Sequence, residues 1–168
     1  MKSVVQCALL AGLMVTGSAL ADTGTIRFQG TINGPTCSLS TSNITIPIGA
    51  VNKSAFTGIG SVSSYSPNVA LVSAGCNASL VSMTFTGTAA PGNANLFAVT
   101  GGAEGVGIQL ARSNSSTYAV PNSTTAPITF TPAVSGAGYS FAARYVQTAA
   151  TITTGPANAT ITVLITYT

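Results

Sequence analysis

Apolar residues recur at every second position in several short segments of this chain. The segments are residues 26–32, 44–48, 68–74, 81–85, 106–110, 128–130, 139–145 and 161–167. A period of two predicts β-strands with alternate side chains on a core, and Gly, Pro, Asn and Ser fill the breaks between them, such as residues 87–95. Pro47 predicts an edge strand or a bulge in its segment. The pattern as a whole predicts an all-β chain folded as an antiparallel β-sandwich.

The first and last of these segments predict an unfinished sheet. Residues 161–167 lie at the C-terminal end of the chain and place alternate apolar side chains on one face. Residues 26–32 are followed at once by Gly34-Pro35, which separates them from the body. We expect that one chain leaves the sheet open and another completes it. The alternative is a secreted, complete sandwich that folds alone as a monomer, with residues 26–32 as an ordinary edge strand.

The N-terminal residues predict a secretory signal peptide over residues 1–21. Lys2 supplies the positive charge, residues 8–15 form an apolar stretch too short to span a bilayer, and Ala19-Leu20-Ala21 has the small-x-small form of a cleavage site. We predict cleavage after Ala21 rather than a retained anchor. The remainder fits one domain, and no later run reaches the ~18 apolar residues of a membrane span.

Charge and chemistry argue against several functions. Charged residues make up 4% of the chain, and histidine is absent. The charges after the signal peptide are Arg27, Lys53, Arg112 and Arg144 against Asp22 and Glu104. They form no basic stripe, so we predict no nucleic-acid binding. Two separated carboxylates and no histidine cannot build a usual acid–base site, so we predict no enzyme activity and no cofactor.

Residues 101–107 are rich in glycine and superficially similar to a phosphate-binding loop. They lack the lysine of such loops, and no helix pattern follows them. A hairpin turn leading into residues 106–110 is the better interpretation.

The cysteines predict one disulfide. Cys7 lies in the predicted signal peptide, which leaves Cys37 and Cys76 in an exported chain. On the chain-entropy model this bond would stabilise the fold by roughly 4 kcal/mol. The alternatives are two free thiols or a metal site, but two cysteines without histidine do not fill a tetrahedral zinc shell.

Several motifs resemble those of chaperone–usher fimbrial subunits of the type 1-like pilin family. Residues 24–32, followed by Cys37, resemble the N-terminal extension and first cysteine of these subunits. Residues 105–110 resemble a segment common in them, and residues 141–168 resemble their last two strands. The penultimate tyrosine, with a glycine fourteenth from the end, is similar to the family's chaperone-recognition pattern.

The resemblance implies an incomplete immunoglobulin-like β-sandwich that lacks its last strand. It divides the chain into a signal peptide (1–21), a donor-strand extension (22–33) and a pilin domain (34–168). It implies donor strand residues Ile26, Phe28, Gly30 and Ile32. It implies acceptor-groove and chaperone-binding residues Gly155, Ile161, Val163, Ile165 and Tyr167.

The implied function is a structural subunit of a cell-surface fimbria that supports adhesion and biofilm formation. A periplasmic chaperone would lend a strand to the groove, and at the outer-membrane usher the extension of a neighbouring subunit would replace it. The alternative is a minor or adhesive subunit that binds a host glycan or protein, with Tyr65, Tyr118 and Tyr139 as the available aromatic residues. Arg144 either keeps an exposed face soluble or contacts a neighbour.

Overall fold

The described part of the chain forms two main antiparallel sheets that pack on a large apolar core. The computed structural model describes residues 27, 29–30, 37–113, 115–131, 133–134 and 136–168. The strands are β1 (Ser38–Leu39), β2 (Val69–Ala74), β3 (Asn77–Ala78), β4 (Val81–Thr86), β5 (Ala89–Ala90), β6 (Asn93–Ala98), β7 (Val106–Arg112), β8 (Ile128–Phe130), β9 (Ala133–Val134), β10 (Gly138–Gln147) and β11 (Thr162–Tyr167). A 3-10 turn spans Lys53–Ala55. No helix among these residues has the length and apolar character needed to cross a bilayer.

The chain divides into two units, Met1–Ile32 and Asn33–Thr168, and the strands belong to the second. The larger sheet has the order β1-β2-β10-β7-β6-β5. Its central strand β10 pairs with β2 through one half and with β7 along most of its length. Residues 60–66 run beside the other half of β10, where the Ser63 amide donates to the Tyr145 carbonyl at 3.0 Å.

The smaller sheet places the C-terminal strand at an edge. Its order is β11-β4-β8, and β11 pairs with β4 from Thr162 opposite Thr86 to Tyr167 opposite Val81. Among the described residues β4 is the only strand that pairs with β11. The two short strands β3 and β9 form a separate pair.

Aromatic side chains from both sheets meet in the core. The Phe141 ring of β10 lies edge-on to Phe85 of β4 at 5.6 Å and to Phe130 of β8 at 5.7 Å. Along β4 the inward residues are buried and the residues between them are not, as a period of two requires. The prediction of an all-β sandwich is confirmed.

Two details of the strand prediction were wrong. Residues 44–48 are assigned to no strand, although their isoleucines are half-buried and Thr45 and Pro47 are exposed. The predicted break at residues 87–95 contains β5 and the start of β6. The alternation of apolar and polar residues does not reveal β6, because Leu96 and Phe97 are consecutive and both buried.

A disulfide joins Cys37 to Cys76, with the two Cα atoms 4.2 Å apart. It connects the residue before β1 to the turn between β2 and β3, and β1 itself pairs with β2. The predicted bond is therefore confirmed.

Candidate functional site: an open groove beside the C-terminal strand

A groove of about 660 Å³ opens between residues 42–49 and residues 157–163. Its floor consists of the apolar side chains Leu71, Phe85, Ile108, Leu110, Phe141 and Ala143, all of them buried. These residues come from both sheets, so the floor of the groove is the core of the sandwich itself.

Along the C-terminal wall of the groove, half-buried and exposed residues alternate without a break. From residue 157 to residue 168 every odd-numbered residue is half-buried and every even-numbered one is exposed. None of the inward side chains is fully buried, in contrast to Val81 and Met83 on the neighbouring β4, which are 0% exposed. A strand that packs on the core but has a neighbour on one side only leaves its other backbone edge open.

The opposite wall is built in the same way. Ile44, Ile46 and Ile48 pack half-buried against the core, and Thr45 and Pro47 point outward. In the described part of the chain, no backbone hydrogen bond crosses the groove between this segment and residues 157–163. The groove therefore presents an apolar floor between two backbone edges, which is a surface suited to the addition of an extended strand.

The structure places the predicted groove residues along this wall. Ile161 and Val163 line the groove. Ile165 and Tyr167 continue the same face of β11 and pack half-buried against the core. Burial raises the pKa of Tyr167 above its usual 10.0, and the nearby Tyr139 adds to that rise.

Gly155 lies outside the groove lining, in an exposed turn. A Cβ atom there would approach the Gly102 carbonyl carbon and the Ala103 nitrogen to 2.8 Å. The glycine therefore allows two backbone segments to come together next to the C-terminal wall.

The predicted donor residues Ile26, Phe28 and Ile32 lie outside the described residues. Gly30 is exposed, and a Cβ atom there would meet nothing within 4 Å. The assignments of donor and groove residues stay predictions.

Sequence reasoning missed two contributors to the groove. One is the wall formed by residues 44–48, whose isoleucine alternation was visible but was assigned only to a strand. The other is Tyr145, whose hydroxyl donates to the Ala157 carbonyl at 2.8 Å and so ties β10 to the C-terminal wall. Burial raises the pKa of Tyr145 above 10.0.

Other chemistry is sparse in the described residues. No three His, Cys, Asp or Glu side chains in this part of the chain are grouped so as to hold a metal ion. Tyr139, one of the three aromatic residues considered for a ligand pocket, is 1% exposed and packs against Phe130 at 5.0 Å. Tyr65 and Tyr118 are exposed and lie close together on the outside of the larger sheet.

Comparisons with known proteins agree with this architecture. Residues 26–168 match the family described as fimbrial protein. The chain is similar to a type-1 fimbrial protein subunit of Serratia marcescens, with 31% identity over 179 residues that cover 99% of this chain and 98% of the relative.

Solved structures of pilus proteins share the fold. A Burkholderia pseudomallei antigen and type I fimbria protein has 31% identity and a TM-score of 0.57, over 78% of this chain and 88% of that one. The P pilus rod subunit PapA has 19% identity and a TM-score of 0.64, over 79% and 99%. A chaperone–usher pilus structure has 19% identity and a TM-score of 0.65, over 91% and 100%.

Proposed function

Because this chain belongs to the fimbrial protein family, we propose that it polymerises into a cell-surface fimbria by donor-strand exchange. The family consists of structural proteins and not of enzymes. In this proposal the groove beside β11 accepts the N-terminal extension of a neighbouring subunit. The fibre supports adhesion and biofilm formation.

The open groove is the observation that supports this proposal. An extended segment laid between residues 42–49 and 157–163 would supply backbone hydrogen bonds to both walls and cover the apolar floor in one step. The half-buried faces of both walls provide the apolar surface that such a segment would still have to cover.

The alternation in residues 22–33 supports their role as the donor strand. Ile26, Phe28, Gly30 and Ile32 fall on one face of an extended strand, and the residues between them are polar. Burial of two isoleucines and one phenylalanine would contribute roughly 5–8 kcal/mol before the cost of ordering the strand. The glycine would let the inserted backbone approach the floor closely.

The same groove accounts for the proposed chaperone and usher. An apolar groove with open strand edges invites aggregation, so a subunit crossing the periplasm needs a temporary strand from a chaperone. Donation from one subunit to the next is a head-to-tail contact, and it builds a filament at the usher when successive subunits do not close into a ring.

Denaturant unfolding of two variants tests the proposal. One is the body alone, residues 34–168. The other, the strand-completed chain, carries residues 22–33 re-attached after Thr168 through a flexible linker. We expect the strand-completed chain to be far more stable and the body alone to aggregate or unfold readily. A matched control places Phe28→Ser in the re-attached segment and should lose much of the gain. Two equally stable monomers would show that the sandwich is complete and would overturn the proposal.

A further inference from the structure

A fixed arginine lies on the outer face of the larger sheet. Its neighbours in sequence, Ala143 and Tyr145, face the core, so Arg144 points away from it. Its Nε donates to Gln109 Oε1 at 2.8 Å, and its guanidinium lies 4.4 Å from the centre of the Tyr65 ring. The Tyr65 hydroxyl donates to the same Gln109 oxygen at 3.4 Å. Arg144, Tyr65, Gln109 and the adjacent Tyr118 are called the Arg144 cluster below.

The neighbours of Arg144 hold its guanidinium in place. Burial raises the pKa of Tyr65 above 10.0, the Arg144 charge opposes this rise, and the Tyr118 hydroxyl adds to it. The stacked ring and the Gln109 hydrogen bond fix the guanidinium plane, which reduces the entropy lost when a carboxylate binds. No carboxylate pairs with Arg144 in the part of the chain that the structure describes.

Arg112, in contrast to Arg144, contacts residues of the other sheet in its own subunit. Its Nη1 donates to the Thr129 carbonyl at 2.7 Å, and its guanidinium lies 4.5 Å over the Phe130 ring. That arginine is used within its own subunit to join β7 to β8. Arg144 instead faces outward beside two exposed tyrosines.

Glu104 is the matching acid. It is exposed, and it is the only aspartate or glutamate among the residues that the structure describes. Its backbone is fixed by paired hydrogen bonds with Thr153 at 3.2 and 3.1 Å. Glu104 lies before the start of β7, and Gln109 lies about 10 Å along that strand from its first residue. In one copy the acid and the cluster therefore occupy different places on the surface.

We propose that the Arg144 cluster binds the Glu104 carboxylate of a second copy of this chain in the assembled fibre. The contact joins two different patches, so it can repeat from copy to copy along a fibre. Exposed apolar side chains lie on the segment that carries Tyr65, with Ile59 69% and Val62 39% exposed. Tyrosine and arginine are enriched at protein interfaces, and the exposed Ile59 and Val62 beside them favour a protein partner over a hydrated sugar. The proposal rests on the proposed function, since it requires assembled subunits.

A zero-length cross-link tests the contact. Fibres of the full chain carrying Arg144→Lys are treated with a carbodiimide, which activates a carboxylate and joins it to an amine as an amide with net loss of water. We expect covalent dimers and longer chains, with the linked peptides containing residues 144 and 104. They should be lost when Glu104→Gln is added. Lys53, exposed in the same chain, serves as the internal control and should not link to Glu104.

The outcomes distinguish failure of the proposed contact from failure of the proposed function. If fibres form but give no link between residues 144 and 104, the contact is overturned and donor-strand assembly stands. If the unmodified chain forms no fibres together with its chaperone and usher, the proposed function itself fails. Beads carrying N-acetylneuraminic acid test whether the Arg144 cluster binds an acidic sugar instead. Capture of unmodified fibres that Arg144→Ala abolishes would assign the cluster to an acidic sugar and overturn the proposal.

Discussion

The most direct test of the groove compares two isomeric side chains in the C-terminal segment. Ile161 lines the groove and is half-buried, whereas Leu164 points to the opposite face and is 66% exposed. Each is changed to alanine in the body alone (residues 34–168) and in the strand-completed chain. The two substitutions remove the same atoms, so a difference between them reports the environment of the side chain.

The expected magnitudes follow from burial. Truncation of a fully buried isoleucine to alanine costs about 2–5 kcal/mol. Ile161 is half-buried in the chain by itself, so Ile161→Ala should cost about 1–2 kcal/mol in the body alone and about 2–4 kcal/mol once a strand covers it. Leu164→Ala should cost less than about 0.5 kcal/mol in both chains, because its side chain is already in water.

Urea unfolding followed by circular dichroism gives the four free energies of unfolding, with the body alone kept dilute so that it unfolds reversibly before it aggregates. The informative quantity is the additional cost of Ile161→Ala in the strand-completed chain. An equal cost in both chains would mean that the added strand does not cover Ile161, and the groove would not be its acceptor. A cost of Leu164→Ala as large as that of Ile161→Ala would refute the assignment of the two faces.

Three further predictions concern the body of the subunit. Replacement of both Cys37 and Cys76 by serine should lower the free energy of unfolding by about 4 kcal/mol. Thermal melts of this variant, and of the unmodified chain with and without reductant, would measure the loss. Gly155→Ala should cost about 1–3 kcal/mol, because its Cβ would lie 2.8 Å from neighbouring backbone, and an unchanged melting temperature would contradict this. Burial raises the pKa of Tyr145 above 10.0, so the folded state holds that proton more tightly than the unfolded state. Its contribution to stability is complete below pH 10 and is lost as the pH rises through the folded-state pKa, and Tyr145→Phe should reduce this alkaline loss in melts from pH 8 to 12.

The sequence predicted most of the strands because one face of each meets the core. In β4 the alternation of Val81, Met83 and Phe85 with polar residues is visible in the letters, and the structure buries the same three side chains. The strand β6 was not predicted, because Leu96 and Phe97 are both buried and the pattern of period two disappears. Alternation therefore identifies a strand such as β4 or β7, where the residues between the large apolar ones are polar or small, and misses β6, where two large apolar residues are consecutive.

The groove was only half predictable. The inward face of residues 161–167 follows from alternation alone, but a groove also requires a second wall at a suitable distance. That wall, residues 44–48, comes from a distant part of the chain, and its separation from the first is set by packing that no local pattern records. The stacking of Arg144 on Tyr65 escaped for the same reason, since it joins two segments far apart in sequence.

The position of the disulfide has a mechanical consequence for a fibre held together by donor strands. In the proposed fibre, tension would enter each body from the extension, at the residues just before Cys37. The bond to Cys76 passes that load into the turn after β2. The two residue pairs that join β1 to β2 would therefore not bear this load one after the other. The force would instead pass through covalent bonds into β2, the strand beside β10, so a pulled fibre should yield at its strand junctions before its subunits unravel.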